Sequence, residues 1–136
     1  MNGLFVPGDE IRREQLDWGE LGWISRPDIT SSSRITAMEV TFHPGHGHAF
    51  HRHPDQEEVI YVLSGEFEQW LEQERRIMGP GDSLFIAPGV VHASFNDGTE
   101  PVRLFVTLGP CDGEVGYVAE DVSTEKPWAS LRDSIQ

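Results

Sequence analysis

Gly45-His46-Gly47-His48-Ala49-Phe50-His51-Arg52-His53-Pro54-Asp55-Gln56-Glu57-Glu58-Val59-Ile60-Tyr61-Val62-Leu63-Ser64-Gly65 is the stretch on which the reading of this chain turns. In an extended segment successive side chains point to opposite faces, so His51 and His53 project from one face and can offer two imidazole nitrogens to one ion. Pro54 and Asp55 supply a turn. The run from Glu58 to Leu63 then has the β-branched and aromatic content of a strand. Alternation sets Glu58, Ile60 and Val62 on one face and Val59, Tyr61 and Leu63 on the other. A lone carboxylate buried on such a strand is costly unless a cation accompanies it. Glu57 points the opposite way from Glu58 and is expected at the surface.

Further along, Gly79-Pro80-Gly81-Asp82 marks a tight turn, Ser83 to Ala87 a short buried strand, and Pro88-Gly89 the centre of a type II turn. The strand Val91 to Phe95 then carries His92 near its start. Three neutral imidazoles and one carboxylate, from His51, His53, His92 and Glu58, leave a divalent ion with residual positive charge. Such mixed nitrogen and oxygen donors suit Fe, Mn, Ni, Cu or Zn, with geometry selecting among them.

With these residues in place the sequence resembles the cupin superfamily, in its small single-domain form. A first signature, G-x5-H-x-H-x4-E-x6-G, falls on Gly45, His51, His53, Glu58 and Gly65, and a second, G-x5-P-x-G-x2-H-x3-N, on Gly81, Gly89, His92 and Asn96. One position departs: Ala87 stands where the family has proline, and Pro88 follows it. The residue before a proline is held extended, so Ala87 can still end its strand. The resemblance covers roughly Arg34 to Leu108. It implies an all-β fold, a double-stranded β-helix or jelly-roll barrel holding a divalent metal on His51, His53, Glu58 and His92, among relatives that are mostly homodimers.

Outside the motifs, residues 1–33 are expected as an N-terminal arm, 34–110 as the barrel, and 111–136 as an extension packed on it, forming one domain. Leu21, Trp23 and Ile24 are expected in a first edge strand. Ile35 to Phe42 alternates, so Met38, Val40 and Phe42, together with Ile60 and Val62, are the candidates for lining the cavity. Trp18, Trp23, Trp70 and Trp128 are expected as packing residues, with the side chosen by Trp70 left open. Asn96-Asp97-Gly98 is a turn signal, which gives Asn96 a structural role. Thr124 and Pro127 suggest the start of a short C-terminal helix with Trp128, Leu131 and Ile135 on one side.

Ten basic against twenty-three acidic residues give a formal net charge of −13, which argues against nucleic acid and anionic membranes as partners. Glu66, Glu68, Glu72 and Glu74 are expected on a solvated face. The N-terminus lacks a basic-then-apolar signal pattern and a lone cysteine, Cys111, fits a reducing compartment, so a cytoplasmic location is expected. His43, His46 and His48 also lie near the motif. Pro44, Gly45 and Gly47 surround them, so His46 and His48 are expected on the entering loop and outside the ligand set.

For function, the ligand set in an apolar cage favours a metal-dependent oxygenase like the quercetinase-type dioxygenases, acting on a small oxygen-rich or enolisable molecule with Glu58 as a base. A Lewis-acid isomerase, lyase or decarboxylase ranks second. A non-catalytic small-molecule binder ranks third, because a shared fold does not select an activity.

Overall fold

The computed structural model describes residues 2–132. Its strands are β1 (Arg12–Leu16), β2 (Gly19–Ser25), β3 (Thr36–Phe42), β4 (Gly47–Arg52), β5 (Glu57–Ser64), β6 (Phe67–Leu71), β7 (Glu74–Met78), β8 (Ser83–Ile86), β9 (His92–Phe95), β10 (Val102–Gly109) and β11 (Glu120–Asp121), with one helical turn, α1 (Pro27–Thr30). They form two antiparallel sheets, one ordered β1-β2-β3-β10-β5-β8 and the other β11-β4-β9-β6-β7. This is the expected jelly roll.

Period-two burial builds the barrel interior. Along β5, Glu58, Ile60 and Val62 are buried while Val59, Tyr61 and Leu63 face out, and β10 buries Val102, Leu104, Val106 and Leu108 in the same rhythm. These side chains meet Met38, Val40 and Phe42 of β3 in one core cluster. Removing each large apolar side chain from water is worth about 1.5–3 kcal/mol, so the interior is the main source of stability. Gly65 turns the chain between β5 and β6 at φ +87°, where an added Cβ would lie 2.8 Å from the Pro101 carbonyl oxygen. Both constraints select glycine at this motif position.

A second cluster lies on the opposite face of the second sheet. Phe50, Trp70, Val91, Ala93 and Val122 are buried there, with Trp128 and Leu131 packed against them. Trp70 therefore packs outside the cavity, and the C-terminal extension covers that face. In place of the expected helix the extension has β11 and a single 3-10 turn, Trp128–Ser130. Ile135 lies outside the described residues.

The N-terminal arm is woven into the first sheet. β2 pairs with both β1 and β3, so the strand expected at the edge lies one place inside it. Arg12 to Leu16 carries no apolar alternation, because β1 is an edge strand with little to bury. Among the described residues no helix is long and apolar enough to cross a membrane.

Candidate metal centre

Four chain segments converge on the inner face of the barrel. His51 lies in β4 directly across from His92 in β9, His53 follows the end of β4, and Glu58 is the second residue of β5. All four side chains are buried. Each histidine can bring a ring nitrogen within 4.8 Å of the other two. Glu58 Oε1 lies 3.1 Å from His53 Nε2 and 3.0 Å from His92 Nε2.

The far side of each imidazole is held by a carbonyl. His51 Nδ1 donates to Ala49 O at 2.6 Å, His92 Nδ1 to Val90 O at 3.0 Å, and His53 Nδ1 to Val118 O at 2.8 Å. A carbonyl can only accept, so the proton of each neutral ring sits on Nδ1 and the Nε2 lone pair is left free. His53 Nε2, His92 Nε2 and Glu58 Oε1 are accordingly buried without a hydrogen bond despite their close approach. Lone pairs facing a carboxylate repel. Two things relieve this: a proton on an imidazole or a divalent cation.

The electrostatics follow the first form of relief. Burial opposes charge on His53, but the Glu58 carboxylate outweighs it and raises the pKa of the ring. Burial pushes the Glu58 carboxyl up, and the contacts from His53 and His92 reverse this, holding it at about 2. Burial, then the neighbouring His48 and His92, push His51 well below the usual imidazole range.

The second form fits as well. Two donors each about 2.1 Å from one ion are separated by roughly 3 Å, which is the spacing Glu58 keeps from its two neighbours. Second-rank partners that fix the tautomer are also what histidine ligation requires. The three buried histidines can hold a metal ion.

Above these residues opens a cavity of about 560 Å³. Met38, Val40, Phe42 and Ile60 are among its lining residues, and Val62, buried in the same core cluster, is not. The arm supplies much of the remaining wall through Trp18, Trp23 and Arg26. Only Trp23 lies in β2, with Trp18 and Arg26 just outside its two ends, and which sheet face they cover depends on where the hairpin docks.

His48 corrects the sequence expectation. It belongs to β4, lines the cavity, and stacks on His51 with ring centroids 3.6 Å apart. Strict alternation would send residues 48 and 51 to opposite faces, but the pairing of β4 with β9 shifts register between them, and both rings turn inward. Burial first, then the charge of His92, push its pKa down to about 4. His46 and His43 are exposed on the entering loop.

Other residues reached the site without a sequence signal. Tyr117 lines the cavity with its ring 5.0 Å from that of His53, and burial, then the Glu58 charge, push its phenol upward. Gln56 is almost fully buried behind the ligands. Glu57 is exposed, as expected. Asn96 ties the turn by donating to Phe42 O and Glu100 O. Cys111 sits against Thr36 and Ser32, away from the cavity lining.

Comparison with known proteins gives the geometry a family. Residues 38–108 match the model described as Cupin domain. The pectin degradation protein KdgF of Dickeya dadantii (strain 3937) is 30% identical over 95 residues, spanning 68% of this chain and 86% of that protein. Protein SchB of Streptomyces halstedii is 37% identical over 105 residues, 77% of this chain and 76% of its own. The solved structure of KdgF from Halomonas sp. superposes with a TM-score of 0.70 at 23% identity, covering 83% of this chain and 98% of that one. More than half of the chain, including both histidine-bearing strands and the strand of Glu58, lies within the family match, and the protein belongs to the cupin family.

Proposed function

We propose that this protein is a metal-dependent enzyme acting on a small, oxygen-rich organic molecule by Lewis-acid chemistry, in the class of isomerases, lyases and decarboxylases. The observation that carries this reading is the convergence of His51, His53, Glu58 and His92 at a cavity whose wall also presents the polar side chains of His48, Ser94 and Tyr117. Those four residues would hold the ion. When bound there, a divalent ion polarises a substrate oxygen and lowers the cost of removing a proton from the adjacent carbon.

The chain's own residues do the rest. His48, stacked on His51, and Tyr117, beside His53, stand where they can orient substrate oxygens by hydrogen bonds. The Tyr117 hydroxyl makes no hydrogen bond within the chain among the described residues. Trp18, Trp23 and Phe42 exclude water around the substrate. Glu58, held as a carboxylate by its histidine contacts, serves as a charged donor and is a weak base. A relative named for pectin degradation supports an oxygen-rich substrate.

These polar groups reverse the order reached from sequence. Oxygenase chemistry remains the second reading, favoured by the apolar share of the wall. The two separate in one experiment: zinc- or manganese-loaded protein is incubated without O2 in D2O with small uronic and 2-oxo acids, and NMR follows the protons next to the carbonyl. Ion-dependent loss of those signals is expected. No loss in fully loaded protein, with O2 uptake by the iron form, would establish the second reading instead.

We also infer a homodimer. Val59, Tyr61 and Leu63 of β5 and Phe85 of β8 are exposed on the outer face of the first sheet, with Val59 paired to Phe85, and such a patch is typical of an interface. Light scattering should give twice the chain mass, and Tyr61→Glu should halve it. A parent of single-chain mass at working concentration rules this out.

A further inference from the structure

We propose that Gln56 is a positioning residue of the metal centre, keying the crossing segment 110–118 to His53 so that ion loading and closure of one cavity wall are coupled. This rests on the reading that His51, His53, Glu58 and His92 hold an ion.

The three histidines are oriented in two different ways. His51 and His92 each use a carbonyl two residues back in the chain, Ala49 in β4 and Val90 in the turn that leads into β9, so their orientation is set locally. His53 lies past the end of β4 and takes its carbonyl from Val118, 65 residues further along the chain. Its orientation is only as good as the seating of that segment.

Gln56 provides the seating. Its side chain is 1% exposed, and it stands in the turn between His53 and Glu58. Nε2 donates to Pro110 O and Gly116 O, both at 2.9 Å, and Oε1 accepts from Val118 N at 3.1 Å. Val118 is thus gripped on both sides, its N–H by Gln56 and its carbonyl by His53. Two carbonyls and one N–H require a side chain with both donors and an acceptor, which a carboxamide supplies and a carboxylate or aliphatic chain does not. The fit is close: Gly116 adopts φ +75°, and a Cβ there would lie 2.3 Å from Thr36 Oγ1, which itself donates to Gly116 O at 2.7 Å.

The same segment forms part of the cavity. Val115 and Tyr117 line the wall over the ligands. A segment that must be docked to hold His53 Nδ1 is therefore docked more firmly when His53 Nε2 is held by an ion, and the reverse is required by linkage. If Gln56 were only packing, its loss would lower fold stability and leave ion affinity alone.

The test uses the isosteric Gln56→Met, which retains volume and loses all three hydrogen bonds. Outer partners of a metal ligand typically contribute 10–100-fold in affinity. Cobalt(II) affinity, measured by chelator competition, should fall by about that factor, with a changed visible spectrum, in ion-free protein that still unfolds cooperatively. Parent-like affinity and spectrum in the variant would overturn the proposal. Should the variant fail to fold, amide exchange on the parent decides: zinc should slow exchange at residues 116–118 at least about tenfold, and an unchanged rate there despite bound zinc overturns the coupling. A parent that takes up neither ion instead defeats the proposed function, so the two failures are distinct.

Discussion

Glu58 and Glu68 are both buried carboxylates, at 6% and 4% exposure, one inside the barrel and one on the outer side of the second sheet, and the chain treats them in opposite ways. Glu68, on the outer side of β6, is enclosed by donors: Arg75 Nε at 2.7 Å on one oxygen, and Trp70 Nε1 at 2.9 Å and Arg132 Nε at 2.8 Å on the other. Glu58, inside the barrel, meets two imidazole nitrogens whose protons are turned away to backbone carbonyls. The first is satisfied by the protein's own cations. The second is complete only with a proton or a metal. Burial of charge therefore does not mark a functional site by itself; burial among lone pairs does.

The largest test of that contrast is loss of a ligand. Divalent metal at about a thousand times its Kd should stabilise the parent by roughly 4 kcal/mol, seen as a rise in Tm, and His92→Ala should abolish the rise. An equal rise in the variant would mean the ion binds elsewhere. Next is Glu68→Gln, which weakens three charge-assisted bonds; we expect a loss of about 1–3 kcal/mol in denaturant unfolding, with ion affinity unchanged. Glu58→Gln should act chiefly on the ion, lowering its affinity, with at most a modest loss of ion-free stability at neutral pH, because the contacts that hold the Glu58 carboxyl low come from two imidazoles and from no arginine. A large loss of ion-free stability in this variant would break the comparison.

Acid should separate the two sites. Protons compete with metal for the imidazoles, so the metal-dependent rise in Tm should fade as pH falls, beginning at His53, whose ring the Glu58 carboxylate makes easier to protonate, and ahead of His51, which burial holds low. Burial tends to raise the Glu68 carboxyl, but Arg75, Trp70 and Arg132 outweigh it and lower its pKa. A depressed folded pKa means that its contribution is present above the unfolded value near about 4.3 and is lost only as pH falls through the lower folded one. Thermal scans from neutral pH downward should show the metal increment vanish first. The smallest expected effect on ion binding is at Val62→Ala, which should cost about 1–3 kcal/mol of fold stability as a core cavity and leave ion affinity and the cavity wall unchanged.

How far these features were legible depended on the distance over which they are encoded. Strand β5 and its inward Glu58, Ile60 and Val62 followed from alternation alone. Glu68 did not: a glutamate among four in one hairpin reads as solvated, and its enclosure by Arg75 and Trp70 is completed by the return of Arg132 over the outer face, 3.8 Å above the Phe95 ring. His48 was hidden by the register shift in β4, which no local pattern announces. Val62 kept the right parity, but the depth of the cavity along β5 is set by the side chains opposite it.

The sequence by itself determined the strands that carry the motifs, the spacing of His51, His53, Glu58 and His92, and the turns that bring them together, because alternation and turn chemistry act within a few residues. Tertiary structure alone decided what surrounds them: the hairpin of the arm behind the cavity, Tyr117 on its wall, and Val118 on His53. Those contacts join residues tens of positions apart through docking of whole segments. Their energy lies in surfaces that exist only once both partners are folded.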